Sequence, residues 1–392
     1  MNYVIEKLQK IKTKELYRKL KYIETAQSPR VKMGGKDFIL LGSNNYLGLC
    51  DDYRLKKAAI DAIHKYGVGS GGSRLTTGSY DIHKELEKKI ASFKGTEASL
   101  IFNTGYMANV GIISAICDRN WVIFCDKLNH ASIIDGCRLS DAKLIRYKHC
   151  DMTDLLYKVN KYKKNNSLIV TDGVFSMDGD IAPLPDIVKI AKENDIITMV
   201  DDAHATGILG KNGSGTASYF NCDNQINIMM GTLSKSIASE GGYAAGSKDL
   251  IDYLKNSARS FIYSTALSPA TIAVSIKSLE IIENDEKRRS NLLKMSNWLQ
   301  NELSIAGFNV LKTKTPIIPI MVGPAYKAVE FSKNLLREGI YIPAIRPPSV
   351  PEGTSRLRIS LMATHTPQDL EEALTKIKLI GKDLNIIGGQ ND

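Results

Sequence analysis

Between about residues 95 and 250, short apolar runs alternate with amphipathic stretches. The runs are ASLIFNTG, WVIFCDKLNH, KLIRYKHCD, SLIVTDGVFS, IITMVDDAHA and INIMMGTLSK. They are short and rich in β-branched residues, as strands covered on both faces are. Between them lie helix candidates such as LPDIVKIAKEND, with its acid early and its lysines late. Such alternation predicts right-handed crossovers and an α/β fold: a mainly parallel central sheet with helices on both faces.

After about residue 285 the pattern changes. RRSNLLKMSNWLQNELSIAG reads as a helix stopped by glycine, PIIPIMVG and RLRISLMA as strands, and AYKAVEFSKNLLREG and TPQDLEEALTKIKLIGKDL as helices. The expected organisation is an N-terminal helix and arm over 1–45, a large domain over 46–285 and a smaller C-terminal α+β domain over 286–392. The opening MNYVIEKLQKIKTKELYRKLKYIE has the rhythm of one amphipathic helix. Three prolines in RPPSVPEGT, residues 346–354, predict a loop of fixed shape.

The chain has 392 residues, of which 43% are hydrophobic, enough for a large core. No stretch has the uninterrupted apolar length of a membrane span, and the N-terminus lacks the compact apolar run of a secretory signal, so a cytoplasmic protein is expected. The six cysteines form no C-x-x-C pair and no zinc spacing, so reduced thiols and no bound metal are expected. The net charge of +10 comes from scattered lysines with no aromatic-basic array, which argues against a nucleic-acid partner and suits anionic substrates.

Most of the strand-like runs end in polar or small residues: Asn103-Thr104-Gly105, Asp126, Asp172, Asp201-Asp202 and Thr232-Leu233-Ser234-Lys235. Ligands of open α/β sheets bind outside the carboxyl ends of the strands, so these groups are expected on one rim. A lysine there either snorkels to the surface or pairs with an acid, or its desolvated amine adds to an aldehyde. Asp201 with His204 could ligate a metal, but no third ligand has suggestive spacing. Its carboxylate could instead hold a pyridine nitrogen protonated, whereas Asp202 reads better as the cap of a turn. FNTGYMANVG reads as strand, turn and helix, leaving the amides of Gly105 and Tyr106 free to receive a phosphate. His130 is either an ordinary satisfied polar residue or a group stacked on a ring. GVGSGGSRLTTG follows no clear strand and opens no apolar helix, so it is not a dinucleotide fingerprint.

LGSNNYLGL, GSGGSRLTTG, HKELEKKIASF, TDGVFSMDGDIAPL, VDDAHATG, GTLSK and RLRISLMATH together resemble, in order and over nearly the whole chain, the α-oxoamine synthases. These are fold-type I enzymes that use pyridoxal 5′-phosphate (PLP). The resemblance implies a homodimer with shared active sites and a decarboxylative condensation of an amino acid with an acyl thioester. AIRPPSVPEGTSRLRIS is most similar to the branch that joins L-alanine to a pimeloyl thioester, on coenzyme A or a carrier protein, for biotin synthesis. TDGVFSMDG is shared with the branch that joins glycine to acetyl-CoA. The resemblance also implies residue roles. Lys235, Asp201 and His130 would carry the catalysis: Lys235 joined to the cofactor aldehyde, Asp201 on the pyridinium, His130 stacked on the ring. His204 and Ser176 would bond the ring hydroxyl region, and Gly105, Tyr106 and Thr232 the phosphate. Ser264 and Thr265 would reach the neighbouring subunit's phosphate. Arg358 would grip the amino-acid carboxylate with Asn44 nearby. Ser349 stands where the family has a substrate-contacting threonine, and Arg18 would take the distal carboxylate of the pimeloyl chain.

Overall fold

The computed structural model describes residues 2–13 and 17–387. All six strand-like runs form strands of one seven-stranded sheet. Its spatial order is Ala98–Phe102, Gly242–Gly246, Ile228–Thr232, Ile197–Asp201, Ser167–Asp172, Val122–Asp126 and Lys143–Tyr147. Gly242–Gly246 alone runs against its neighbours; the remaining pairings are parallel. Successive side chains of a strand point to opposite faces. Leu100 and Met199 therefore enter one apolar cluster while Ile101 and Val200 enter another. Helices Gly105–Ile116 and Lys248–Ser257 cover the first face through Ala108, Ile112, Ile251 and Leu254. Helices Tyr53–Tyr66, Asp81–Lys94 and Pro269–Asn284 cover the second through Leu55, Leu86 and Ile272.

GYAAG was not expected as a strand, because it has no β-branched residue. Its small residues are what the place requires. A Cβ on Gly242 would stand 2.6 Å from the Thr104 carbonyl oxygen and 2.7 Å from Gly105 Cα. The glycine lets this strand lie directly beneath the turn that starts helix Gly105–Ile116.

The C-terminal part builds a three-stranded antiparallel sheet from Ile317–Gly323, Ser355–Ser360 and Ala344–Ile345. Helices Glu286–Ile305, Ala325–Arg337 and Pro367–Asp383 pack around it. The N-terminal arm joins this part. Strands Arg30–Met33 and Lys36–Leu40 form a hairpin, and the second pairs in parallel with Ile340–Tyr341. Ser360 N–H then donates to the Leu41 carbonyl, so the arm delivers residues 44–46 to the end of strand Ser355–Ser360.

The first helix is shorter than its pattern suggested. It spans Asn2–Thr13 and buries none of its residues, while residues 1 and 14–16 of that segment lie outside the described residues. From residue 17 the chain is not helical. It runs along the arm hairpin instead, with Glu24 N–H on the Lys32 carbonyl and Ile23 packed by Val31 and Leu40. Docking Ile23 there buries apolar surface that a free-standing helix would leave in water. Among the described residues no helix is long and apolar enough to cross a membrane.

Candidate active site

The carboxyl ends of the parallel strands open into a cavity of about 240 Å³. Thr104, Asp172, Asp201, Thr232 and Lys235 reach it from four strand ends. Gly105, Tyr106, His130, Ser176 and His204 line it too. Asp126, expected on the same rim, turns away to bond His149.

Lys235 lies three residues beyond strand Ile228–Thr232, and its Nζ is 2.9 Å from His204 Nε2. Burial pushes the Lys235 amine down from 10.5 to about 8, with Arg358 adding to the fall and Asp201 and Asp172 opposing it. His204, itself buried, is held well below its ordinary value by desolvation first and then by the charges of Lys235 and Arg358. A neutral His204 therefore accepts from Lys235 at Nε2 and donates from Nδ1 to Tyr46 Oη at 2.7 Å. Tyr46 O–H donates to Asn44 Oδ1 at 3.2 Å. Arg358 completes the chain, with Nη2 donating to Tyr46 Oη at 3.1 Å and Nη1 to Asn44 Oδ1 at 3.1 Å. It also donates from Nη1 to Ser360 Oγ and from Nε to the Ser176 carbonyl.

Asp201 is oriented from both sides. Asn109 Nδ2 donates to its Oδ2 at 2.7 Å and Ala203 N–H to its Oδ1 at 2.8 Å. Asp172, its partner in register on the next strand, is driven well above the usual carboxylate range by burial and then by the Asp201 charge. Asp172 Oδ2 accepts from the His130 N–H at 2.9 Å and so anchors the start of helix Ala131–Leu139. The His130 ring bonds Ser132 Oγ through Nδ1 at 2.7 Å. Partial desolvation, helped by Lys235 and opposed by Asp201, lowers its pKa.

Thr104 caps helix Gly105–Ile116 through Met107 N–H, leaving the first amides without intrahelical acceptors. The Tyr106 phenol donates to Asp135. Thr232 Oγ1 and Ser234 Oγ, 2.8 Å apart, face the same helix end.

These groups fit PLP. An amine with a lowered pKa suits its aldehyde, a fixed carboxylate its ring nitrogen, and a helix N-terminus beside two hydroxyls its phosphate. A further sign is the buried Asn109 Oδ1, which has no partner at the cavity wall.

Other expected residues lie elsewhere. Arg18 and Ser349 line a second cleft of about 660 Å³ with Lys21, Lys333 and Arg346. Ser264 and Thr265 do not line the 240 Å³ cavity; the Thr265 carbonyl accepts from Asn103 Nδ2. Asp202 makes a buried 2.6 Å ion pair with Lys94 and also accepts from Thr216 Oγ1, in keeping with its reading as a structural acid. Asn109, Ser132 and Tyr46 were not singled out. Asn109 is a buried amide one turn into an otherwise apolar helix, a signal open to sequence reading; Tyr46 lies within the LGSNNYLGL motif itself.

Residues 36–377 match the aminotransferase class I and II family. A protein of Lysinibacillus sphaericus named 8-amino-7-oxononanoate synthase is 53% identical, covering 97% of this chain and 98% of its own length. One of the same name from Thermoanaerobacter pseudethanolicus is 48% identical over 99% and 98%. Among solved structures, serine palmitoyltransferase from S. paucimobilis with bound PLP and myriocin has a TM-score of 0.93, at 32% identity over 98% of each chain. The 8-amino-7-oxononanoate synthase of Francisella tularensis has a TM-score of 0.76, at 30% identity over 89% of this chain and 99% of that one.

Proposed function

Because the chain belongs to the α-oxoamine synthases, PLP-dependent enzymes with the aminotransferase class I and II fold, we propose that it makes 8-amino-7-oxononanoate. It condenses L-alanine with a pimeloyl thioester, releasing carbon dioxide and the free thiol, the step that serves biotin synthesis. The relatives at about half identity bear that name, whereas the serine palmitoyltransferases share the fold at 32%. The observation that carries the reading is the buried Lys235 amine, 2.9 Å from His204 in a cavity that Asp201 also lines, with its pKa lowered by burial to about 8.

When bound, PLP supplies the electron sink for the pair left on the amino-acid Cα. Lys235 anchors the cofactor, and its freed Nζ takes the proton from Cα, later returning one to the same carbon. At pH 7 about a tenth of an amine of pKa about 8 is neutral and basic, against far less for an ordinary lysine. Asp201 keeps the ring nitrogen protonated, and Asn109 keeps Asp201 aimed. His130 covers one ring face; His204 and Ser176 serve the hydroxyl side. Gly105, Tyr106 and Thr232 hold the phosphate. Arg358, a planar fork beside Asn44 and Tyr46, grips the alanine carboxylate until it leaves as carbon dioxide. The cationic cleft with Arg18, Lys21, Lys333 and Ser349 receives the anionic acyl chain. We place Ser264 and Thr265 at the phosphate of a second subunit in a cytoplasmic homodimer.

The test pairs L-alanine or glycine with pimeloyl-CoA or acetyl-CoA and identifies products by mass spectrometry. Alanine with pimeloyl-CoA is expected to dominate. Turnover and the bound-cofactor absorbance band surviving in Lys235→Ala would overturn the assignment.

A further inference from the structure

His149 bonds residues of two loops of the site. Strand Val122–Asp126 ends in a carboxylate that is 1% exposed. Asp126 Oδ1 accepts from the Leu128 N–H at 2.8 Å and from His149 Nδ1 at 3.0 Å, and Oδ2 accepts from the Cys150 N–H at 2.9 Å. On the far side of the ring, His149 Nε2 is 2.8 Å from Asp180 Oδ2. Ionised carboxylates only accept, so both ring nitrogens donate and the ring is an imidazolium. Burial works against that charge, but Asp126 and Asp180 outweigh it and raise the ring to about 12. Phe175 closes the site edge-on, its centroid 4.4 Å from that of the ring.

The two carboxylates belong to different parts of the active site. Asp126 shapes the turn that leads to His130, accepting the Asn129 N–H on its carbonyl. Asp180 closes the loop after strand Ser167–Asp172, where its carbonyl takes the Phe175 N–H at 3.0 Å. That loop carries Ser176 and also Asp178, which pairs with Arg356 on the strand of Arg358. Asp126, His149 and Cys150 also offer ligand atoms within 4.8 Å of one another, as a metal site would. Both ring nitrogens, however, already meet carboxylates at hydrogen-bond distance, a geometry that protons satisfy without an ion.

We propose that the Asp126–His149–Asp180 bridge clamps the His130 turn to the Ser176 loop, making His149 a positioning residue for the PLP and amino-acid site. This rests on the reading of that site given above. Without the imidazolium, two carboxylates would face each other across the gap, one of them buried, and the loops would separate. A displacement of about 1 Å at reacting groups costs about 10²-fold in rate.

The experiment compares hydrogen exchange in the cofactor-free protein and its His149→Gln variant. Segments 126–130 and 174–181 are expected to exchange at least about 10-fold faster together, with strand Ile197–Asp201 unchanged. In the PLP-loaded variant kcat should fall about 10–100-fold while KM for the thioester stays within about 3-fold. Adding Asp180→Asn removes one facing charge and should restore part of both losses. Should His149→Gln not fold, Asp180→Asn alone is expected to release 174–181 and spare 126–130. Unchanged exchange in these segments, wild-type kcat in His149→Gln, or stoichiometric zinc in the purified protein would overturn the clamp. If the exchange result holds but wild type forms no product from alanine and pimeloyl-CoA, the reaction assignment falls and the clamp stands.

Discussion

Replacing Lys235 by methionine should stabilise the cofactor-free protein at neutral pH. The folded chain holds the Lys235 amine at about 8, against 10.5 for an ordinary lysine. Between those values the unfolded chain binds the extra proton, so this group's contribution to stability rises with pH there. Below pH 8 both states are charged and the burial cost is fully present. A gap of about 2.5 at about 1.36 kcal/mol per pH unit amounts to about 3 kcal/mol. Methionine keeps the apolar stem but loses the 2.9 Å bond to His204, worth about 1 kcal/mol. The variant should therefore be more stable than the parent by about 2 kcal/mol at pH 7 and less stable by about 1 kcal/mol above pH 10.5. Urea unfolding of both proteins, followed by circular dichroism from pH 7 to 10.5, would locate the crossing. A variant less stable than its parent at pH 7, or a difference independent of pH, would refute the claim that this amine is forced toward neutrality.

Arg358→Lys should raise KM for alanine by about 10–100-fold, because a point charge cannot reproduce the two-pronged grip, while KM for the acyl thioester changes little; steady-state kinetics with each substrate varied checks both. Lys94→Met should cost about 3–5 kcal/mol by leaving Asp202, 1% exposed, as an unpaired buried charge. Adding Asp202→Asn should recover most of that loss in urea unfolding.

The large sheet was readable because its strands are covered on both faces and so appear as unbroken apolar runs. Two parts escaped for physical reasons. GYAAG sits where the backbone of residues 104–105 presses on the sheet, and only small residues fit; packing there replaced the β-branched signature. The arm hairpin alternates exposed and buried residues over RVKM, but its two strands are only four and five residues long, too short for the alternation to stand out. Its Gly34-Gly35 turn, both at positive φ, was a local signal that went unused. At the site, most residues that touch the cavity stood at or just past strand ends, Asp172 among them, and could be named from the sequence, whereas Asn109 and Ser132, on helices, were missed. The bonds by which Asn109 aims Asp201 and His149 bridges Asp126 and Asp180 follow from register and loop closure rather than from spacing in the chain.

The polar chain from Lys235 to Arg358 joins the two parts of the molecule. Lys235 and His204 come from the large sheet, Tyr46 and Asn44 from the arm, and Arg358 from the small sheet. Each link fixes the proton of the next: a neutral His204 requires Tyr46 to accept at one position and donate at another, and Arg358 can only donate. A carboxylate arriving at Arg358 competes for the same N–H groups that now bond Tyr46 and Asn44. Substrate binding therefore competes with Tyr46 and Asn44 for Arg358, and it reaches Lys235 through the N–H that Lys235 donates to His204. The group that recognises the amino acid and the amine that removes its proton are thus linked through two side chains, Tyr46 and His204.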